Sequence, residues 1–330
     1  VTDRTQLVCG DCLQVLAGMA PGSVDLVFGS PPYEAARTYG IGFNLSGQAW
    51  VDWMVAVTRA SLRVCKGLVA FVVEGRTRHF QWSATPALLM ADLHRAGVCL
   101  RKPPAFCRVG IPGSGGPDWF RNDYEFIICA TNGGKLPWSD NTACGHPPKW
   151  GPGGEMANRL SSGARVNQWG HSIDSGATVV DPGGVVRSKG KRPSHKVQTR
   201  RKPNGDRARD GLYAVPVLAN PGNLIRCNVG GGVMGSKLAH ENEAPFPEIL
   251  AERFVKSFCP PGGVVLDPFG GSGTTMAVAL QNDRHAISID IRESQIKLHR
   301  RRLAELNAEA RPATARSDRA GEGTLFEEHP

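Results

Sequence analysis

The chain predicts an α/β protein built on a doubly wound sheet that one long basic insert interrupts. Three observations carry that prediction. Short apolar runs of strand length alternate with stretches of helical periodicity, the pattern of an open α/β sheet. Two of those runs, 24–28 and 264–266, lead into loops rich in Pro or Gly, at the ends of strands where such sheets hold their ligands. Between residues 133 and 211 both periodicities fade while positive charge accumulates.

Taken in order, residues 6–9 form a short strand ending at Gly10-Asp11, and residues 12–19 a helix stopped by Pro21-Gly22. Residues 23–28 form a second strand. After a glycine-rich stretch, Trp50, Trp53, Met54, Val57 and Leu62 recur at helical spacing within 48–64. Residues 68–73 are unbroken apolar, which suits a parallel strand buried on both faces. A helix over 86–96 carries Pro86 at its first turn, and 124–130 is a further strand. Regular structure is expected to return at Phe246. An amphipathic helix over 248–258 places Ile249, Leu250, Phe254 and Val255 on one stripe. A strand over 264–266, a helix over 274–280, a strand over 286–289 and a long helix over 293–308 follow. Residues 309–330 read as a disordered tail. No internal repeat of solenoid length is present.

Composition narrows the function classes. The 330 residues are 41% hydrophobic, and no apolar stretch approaches the roughly 18–20 residues that span a membrane. The first residues lack the apolar core of a signal peptide, so a cytoplasmic protein with no membrane partner is expected. The nine cysteines are scattered through apolar segments, which suits free thiols. Cys9 and Cys12 form one C-x-x-C, and no second pair completes a zinc site, so no metal is expected. Net charge is +9 and it is localised. Residues 135–210 hold fourteen Lys or Arg against six Asp or Glu, and residues 187–209 hold ten against Asp206 alone. A basic segment of this kind is the footprint of a phosphate-backbone binder.

Two strings carry the chemistry. Asp267-Pro268-Phe269-Gly270-Gly271-Ser272-Gly273-Thr274-Thr275 follows a strand and opens a helix. A helix start offers unpaired N–H groups and positive dipole, and the glycines let a ligand approach the backbone. No G-K-[ST] follows and the spacing is not G-x-G-x-x-G, so the ligand is expected to be nucleoside-like without a pyrophosphate. Asp290, at the end of the next strand, can accept bonds from both ribose hydroxyls. The other string, Ser30-Pro31-Pro32-Tyr33, follows the second strand. It places a hydroxyl and a carbonyl where they can accept from an exocyclic amine. The Pro pair restricts the backbone, and Tyr33 can stack on a flat base.

These strings, in this order, resemble the DNA amino-methyltransferases of the permuted, beta-type branch. The resemblance implies a doubly wound, Rossmann-like methyltransferase sheet, S-adenosyl-L-methionine as cofactor, and methyl transfer to cytosine N4 or adenine N6. It implies catalytic roles for Ser30, Pro31, Pro32 and Tyr33. It implies cofactor contacts from Asp11, Asp267, Pro268, Phe269, Gly270, Gly271, Ser272, Gly273, Thr274 and Asp290. Asp11 would meet the adenine amine, and Asp290 the ribose. His240 and Ala244-Pro245-Phe246-Pro247 resemble the segment that precedes the cofactor strand in that branch. S-P-P-[YF] is commoner among its cytosine-N4 enzymes, so cytosine N4 is favoured and adenine N6 is the alternative. Such transfer needs no metal and no covalent intermediate. Alignment and stabilisation of charge on the nitrogen supply the rate, and a base within a duplex must be swung out to reach the slot.

The resemblance divides the chain into a catalytic half (1–133), a target-recognition insert (134–212), a cofactor half (213–308) and the tail. In the insert, Arg159 and Arg165, with Asn158, Asn167 and Gln168, suit base edges. Arg187, Lys191, Arg192, Arg200, Arg201 and Lys202 suit phosphates. Double-stranded DNA is the expected partner. A restriction endonuclease would be a separate chain, an orphan enzyme is equally compatible, and either a monomer or a homodimer fits. RNA or protein amide methyltransferases are the second class, but they place their [ND]-P-P-[YF] after the cofactor loop. A non-catalytic nucleic-acid binder is the third, and intact Ser30, Tyr33, Asp267 and Asp290 argue against it.

Overall fold

The computed structural model describes residues 4–34, 42–110, 117–147, 218–229, 235–242 and 244–309, with four short strands between 179 and 208. It divides into two compact units, Val1–Ala143 with Gly222–Pro330, and Cys144–Pro221.

In chain order the first unit contains β1 (Thr5–Cys9), α1 (Cys12–Gly18), β2 (Val24–Gly29), α2 (Gly47–Val64), β3 (Cys65–Val73), a hairpin of β4 (Thr77–Arg78) and β5 (Gln81–Trp82), α3 (Thr85–Arg95), β6 (Cys99–Leu100), β7 (Ala105–Val109) and β8 (Tyr124–Thr131). In the second unit, β9 (Val179–Val180) pairs with β10 (Val186–Arg187), and β11 (Arg200–Arg201) with β12 (Arg207–Ala208), both antiparallel. The first unit resumes with β13 (Leu224–Asn228), a 3₁₀ turn over Lys237–Glu241, α4 (Glu248–Phe258), β14 (Val264–Asp267), α5 (Thr274–Gln281), β15 (His285–Asp290) and α6 (Glu293–Glu309).

The main sheet runs β1-β15-β14-β2-β3-β8-β7-β13, with β6 beside β8. The five strands from β1 to β3 are parallel, so their C-terminal ends share one edge. β8 is antiparallel to β3 and β7, and β7 is parallel to β13. The start of β8 and the ends of β7 and β13 therefore reach that same edge.

Side chains alternate across the pleat and build two apolar layers. Leu26 and Phe28 join α4 and α5 on one face; Val27 and Phe71 join α1, α2 and α3 on the other. Phe28 stacks on Phe254 at 4.6 Å and meets Phe246 edge-on at 5.6 Å. Burying the Phe28 and Phe254 rings stabilises the fold by about 1.5–3 kcal/mol each. Buried Asp25 ties β2 to the start of β14 by accepting the Val264 N–H at 2.9 Å, and it pairs with Lys66 at 3.0 Å.

Ile249 departs from the expected stripe of α4. It is exposed, whereas Leu250, Ala251, Phe254 and Val255 are buried, because the 100° step per residue carries Ile249 off the face that Leu250 and Ala251 share. β13 and the 3₁₀ turn also precede Phe246, the point at which the sequence pattern resumes regular structure. None of the nine cysteines, all of them among the described residues, is in a disulfide. Among the described residues no helix is long and apolar enough to cross a membrane.

Candidate active site

A cavity of about 500 Å³ opens at the C-terminal edge of the parallel strands. The loop after β2 supplies Ser30, Pro31, Pro32 and Tyr33, and the loop after β14 supplies Pro268, Phe269, Gly270, Gly271, Ser272 and Thr274. Asp11, after β1, and Asp290, ending β15, complete that end. His240 and the segment from Ala244 to Pro247 also line the wall. Asp267 and Gly273 do not. The Asp267 carboxyl lies behind the cavity against Gly29, where a Cβ would fall 2.3 Å from Oδ1. The two strings thus touch through Gly29 and Asp267, at the ends of the strands that feed them.

The Ser-Pro-Pro-Tyr string is held from several sides. Ser30 Oγ lies 3.2 Å from the Val72 carbonyl and 3.3 Å from Tyr33 Oη, and it donates to either. Its lone pairs remain available to accept from a substrate N–H. Tyr33 donates to Glu125 Oε2 at 2.7 Å, and Glu125 Oε1 pairs with Arg108 at 3.2 Å. Trp50, fully buried on α2, donates its indole N–H to the Pro32 carbonyl at 2.9 Å. The buried Glu34 carboxylate accepts from Gly47 N–H, Arg76 N–H and the Thr85 hydroxyl. Burial alone would raise its pKa, but the Ser83 hydroxyl together with these bonds holds it below the ordinary carboxylate value.

The cofactor-side loop is shaped from beneath. Asp267 Oδ1 accepts the Phe269 N–H at 2.9 Å, and burial raises its pKa to about 7. Asp290 accepts from Gly271 N–H and Arg292 N–H, both at 2.9 Å. Buried His299 donates from Nε2 to the Gly271 carbonyl at 2.8 Å, and desolvation lowers its pKa. Buried Arg302 donates to the Ser272 carbonyl at 3.0 Å and pairs with Glu248. The reason for glycine here differs in part from ligand approach. A Cβ on Gly270 would sit 2.3 Å from Ser288 Oγ and 2.5 Å from His299 Cε1, on the protein side. Gly271 and Gly273 have φ of +50° and +76°, which favours glycine directly.

Several cavity residues carry no signal in the sequence. Glu125 and Arg108 sit on β8 and β7, where charged residues in short strands read as solvent-facing positions. Helical spacing assigns Trp53 to the helix core, yet it lines the cavity, packed on Phe43 at 5.1 Å and Phe269 at 5.6 Å. Asn242 and Arg292 also line it, and no motif marks them. In the second unit, Arg187 ends β10, and Arg200 and Arg201 form β11. Asn158, Arg159, Arg165, Asn167, Gln168, Lys191, Arg192 and Lys202 lie outside the described residues.

The N6/N4 methyltransferase family model, described as DNA methylase, matches residues 24–301. The chain belongs to the DNA methylase family. Among its relatives, the type II methyltransferase M.ScaI of Streptomyces caespitosus is 42% identical over 67 residues, covering 20% of this chain and 21% of that protein. The DNA adenine methyltransferase YhdJ of Escherichia coli K12 is 47% identical over 57 residues, 17% of this chain and 19% of its own. These matches span only about a fifth of each relative's length. The type II methyltransferase M.PvuII of Proteus hauseri aligns at 25% identity over 300 residues, 89% of this chain and 82% of M.PvuII. Among solved structures, the cytosine-N4-specific PvuII DNA methyltransferase superposes with a TM-score of 0.59 at 16% identity, covering 92% of this chain and 90% of that one. TTHA0409 of Thermus thermophilus, solved with S-adenosyl-L-methionine, gives a TM-score of 0.50 at 19% identity, with 92% and 95% covered. At these identities the superpositions establish the shared α/β methyltransferase fold.

Proposed function

We propose that this DNA methylase transfers a methyl group from S-adenosyl-L-methionine to the exocyclic amine of a base swung out of duplex DNA, with cytosine N4 the favoured acceptor. The observation that carries this reading is the contact of Gly29 with Asp267, which sets the Ser30 string and the Phe269 loop on one cavity. The residues present suit the cofactor. Carboxylates at Asp11 and Asp290 stand beside the rings of Phe43, Trp53 and Phe269 in a cavity of about 500 Å³, a volume typical of small-molecule sites.

When bound, the cofactor supplies an electrophilic methyl group on a sulfonium. The chain's part is to hold and orient. Ser30 Oγ and the Pro31 carbonyl accept from the amine N–H groups and draw its lone pair out of conjugation with the ring. Trp50 and Glu34 keep that turn rigid, so little reorganisation accompanies the developing charge. Asp290 takes the ribose hydroxyls and Asp11 the adenine amine. Residues 134–212 would read the DNA, with the basic run 187–209 on phosphates.

Support for cytosine comes from the Ser-Pro-Pro-Tyr string and from the near full-length alignment with M.PvuII. The short match to YhdJ supports the adenine alternative. Methylation-aware sequencing of DNA from cells expressing the chain tests both. N4-methylcytosine at a fixed sequence is the expected result, N6-methyladenine would move the acceptor to the alternative, and unmodified DNA would overturn the activity.

A further inference from the structure

The hairpin that follows β3 has a tip that neither packing nor backbone preference explains. β4 and β5 pair Thr77 with Trp82 and Arg78 with Gln81, which leaves a turn of two residues, His79 and Phe80. Their φ angles are +51° and +63°. A two-residue turn with both central residues at positive φ is the place for Asn-Gly, and a ring-bearing residue held there is strained. The ring is not buried in exchange, since Phe80 is 79% exposed.

The same hairpin is tied to the catalytic string. Arg76 donates its backbone N–H to Glu34 at 3.2 Å, and Glu34 directly follows Tyr33. Trp82 donates its indole N–H to Glu74 at 3.0 Å and stacks on Phe126 at 6.2 Å, which fixes the returning strand. Phe80 is four residues from the Arg76 anchor, about 13 Å of extended chain at most. From 76 to 82 the segment carries Arg76, Arg78 and His79 and no acid.

The geometry points to Phe80 as a wedge that enters the base stack of duplex DNA beside the target nucleotide. This rests on the DNA-methylating activity proposed above. Extruding a base unstacks its neighbours. A rigidly displayed apolar ring refills the gap, as wedges between base steps do in DNA-bending proteins, and the flanking cations meet phosphates. The left-handed turn keeps the ring out of the protein, where the stack can receive it.

The test uses the full chain and two synthetic duplexes carrying the sequence found by the sequencing experiment. In one the target base is paired normally; in the other it faces a mismatch and is already loosened. Phe80→Gly is expected to lower kcat/KM about tenfold on the paired duplex, the scale of one lost aromatic stack, and no more than about twofold on the mismatched one. Its Tm should match or exceed that of the wild type, since glycine accepts positive φ freely, and Phe80→Trp should retain the wild-type rate. Equal losses on both duplexes, or no loss on either, would overturn the wedge. So would a Phe80→Gly chain that changes oligomeric state in light scattering with an unaltered ratio between duplexes, because the ring would then serve self-association. A wild-type chain that methylates neither duplex overturns the DNA-methylating activity, and the wedge with it. An active wild type with an indifferent Phe80→Gly overturns the wedge alone.

Discussion

Gly29→Ala places one methyl group between the two strings on which the chemistry depends. The new Cβ would stand 2.3 Å from Asp267 Oδ1, about 1 Å inside ordinary van der Waals separation. Asp267 has little room to yield, because it is 2% exposed and its Oδ1 holds the Phe269 N–H at 2.9 Å. Gly29 is held as well, paired with Phe71 in the parallel register of β2 and β3. The strain therefore moves the Ser30 turn away from the Phe269 loop by a sizeable part of that 1 Å. A misplacement of that size costs roughly 100-fold in rate, and overpacking of this kind costs about 1–3 kcal/mol of stability. The assay is single-turnover transfer of tritiated methyl from S-adenosyl-L-methionine into DNA, with cofactor affinity measured by calorimetry and Tm by scanning. The rate should fall much further than cofactor affinity, with a Tm lower by several degrees. Asp267→Ala should relieve part of the defect, so the double variant is better than the sum of the single losses. A wild-type rate in Gly29→Ala, or full additivity with Asp267→Ala, would refute the argument that the strings are set by this contact.

Three further outcomes are expected. Ser30→Ala should leave cofactor affinity within about twofold and lower kcat on the order of 100-fold, the loss seen when one preorganised hydrogen-bonding group at developing charge is removed; an unchanged kcat in the same tritium assay would contradict the acceptor role. Asp290→Ala should weaken cofactor binding on the order of 100-fold by calorimetry, since it removes both the proposed ribose acceptor and the partner of Gly271 N–H; unchanged affinity would take it out of the cofactor site. Asp267→Asn should flatten stability against pH. Burial raises the folded pKa to about 7, whereas the unfolded carboxyl titrates near about 4. The folded state thus keeps a proton that the unfolded state releases. That stabilisation is complete below about pH 4 and declines as pH rises to about 7, by an order-of-magnitude 4 kcal/mol. Comparing Tm of the two proteins from pH 4.5 to 7.5 tests this, and parallel curves would refute it.

The legible parts of the fold were those with dense local signals. β2, β3, β14 and β15 are apolar runs feeding distinctive loops, and α2 and α4 have helical periodicity. β7 and β13 carry no comparable local signal, for a physical reason. β13 alternates exposed and buried at the edge of the sheet, with Gly, Pro and Asn before it, and β7 is buried fully only at Phe106. Neither presents the continuous apolar run of a central parallel strand. Ile249 lies off the buried stripe of α4, because apolar character alone does not fix the angular position of a helix face.

The chemistry of the site was written in residue types and their order. A hydroxyl before two prolines, a glycine-rich turn and an acid one strand later each demand a particular kind of partner. Their meeting was decided by strand order. β14 inserts between β15 and β2, so residues more than 230 positions apart come into contact at Gly29 and Asp267. Trp50, Glu34, Glu125, Arg108 and His299 joined the site in the same way. No local motif marks them as site residues, because a side chain that braces a distant loop is selected by the space and the unpaired groups that folding leaves beside it.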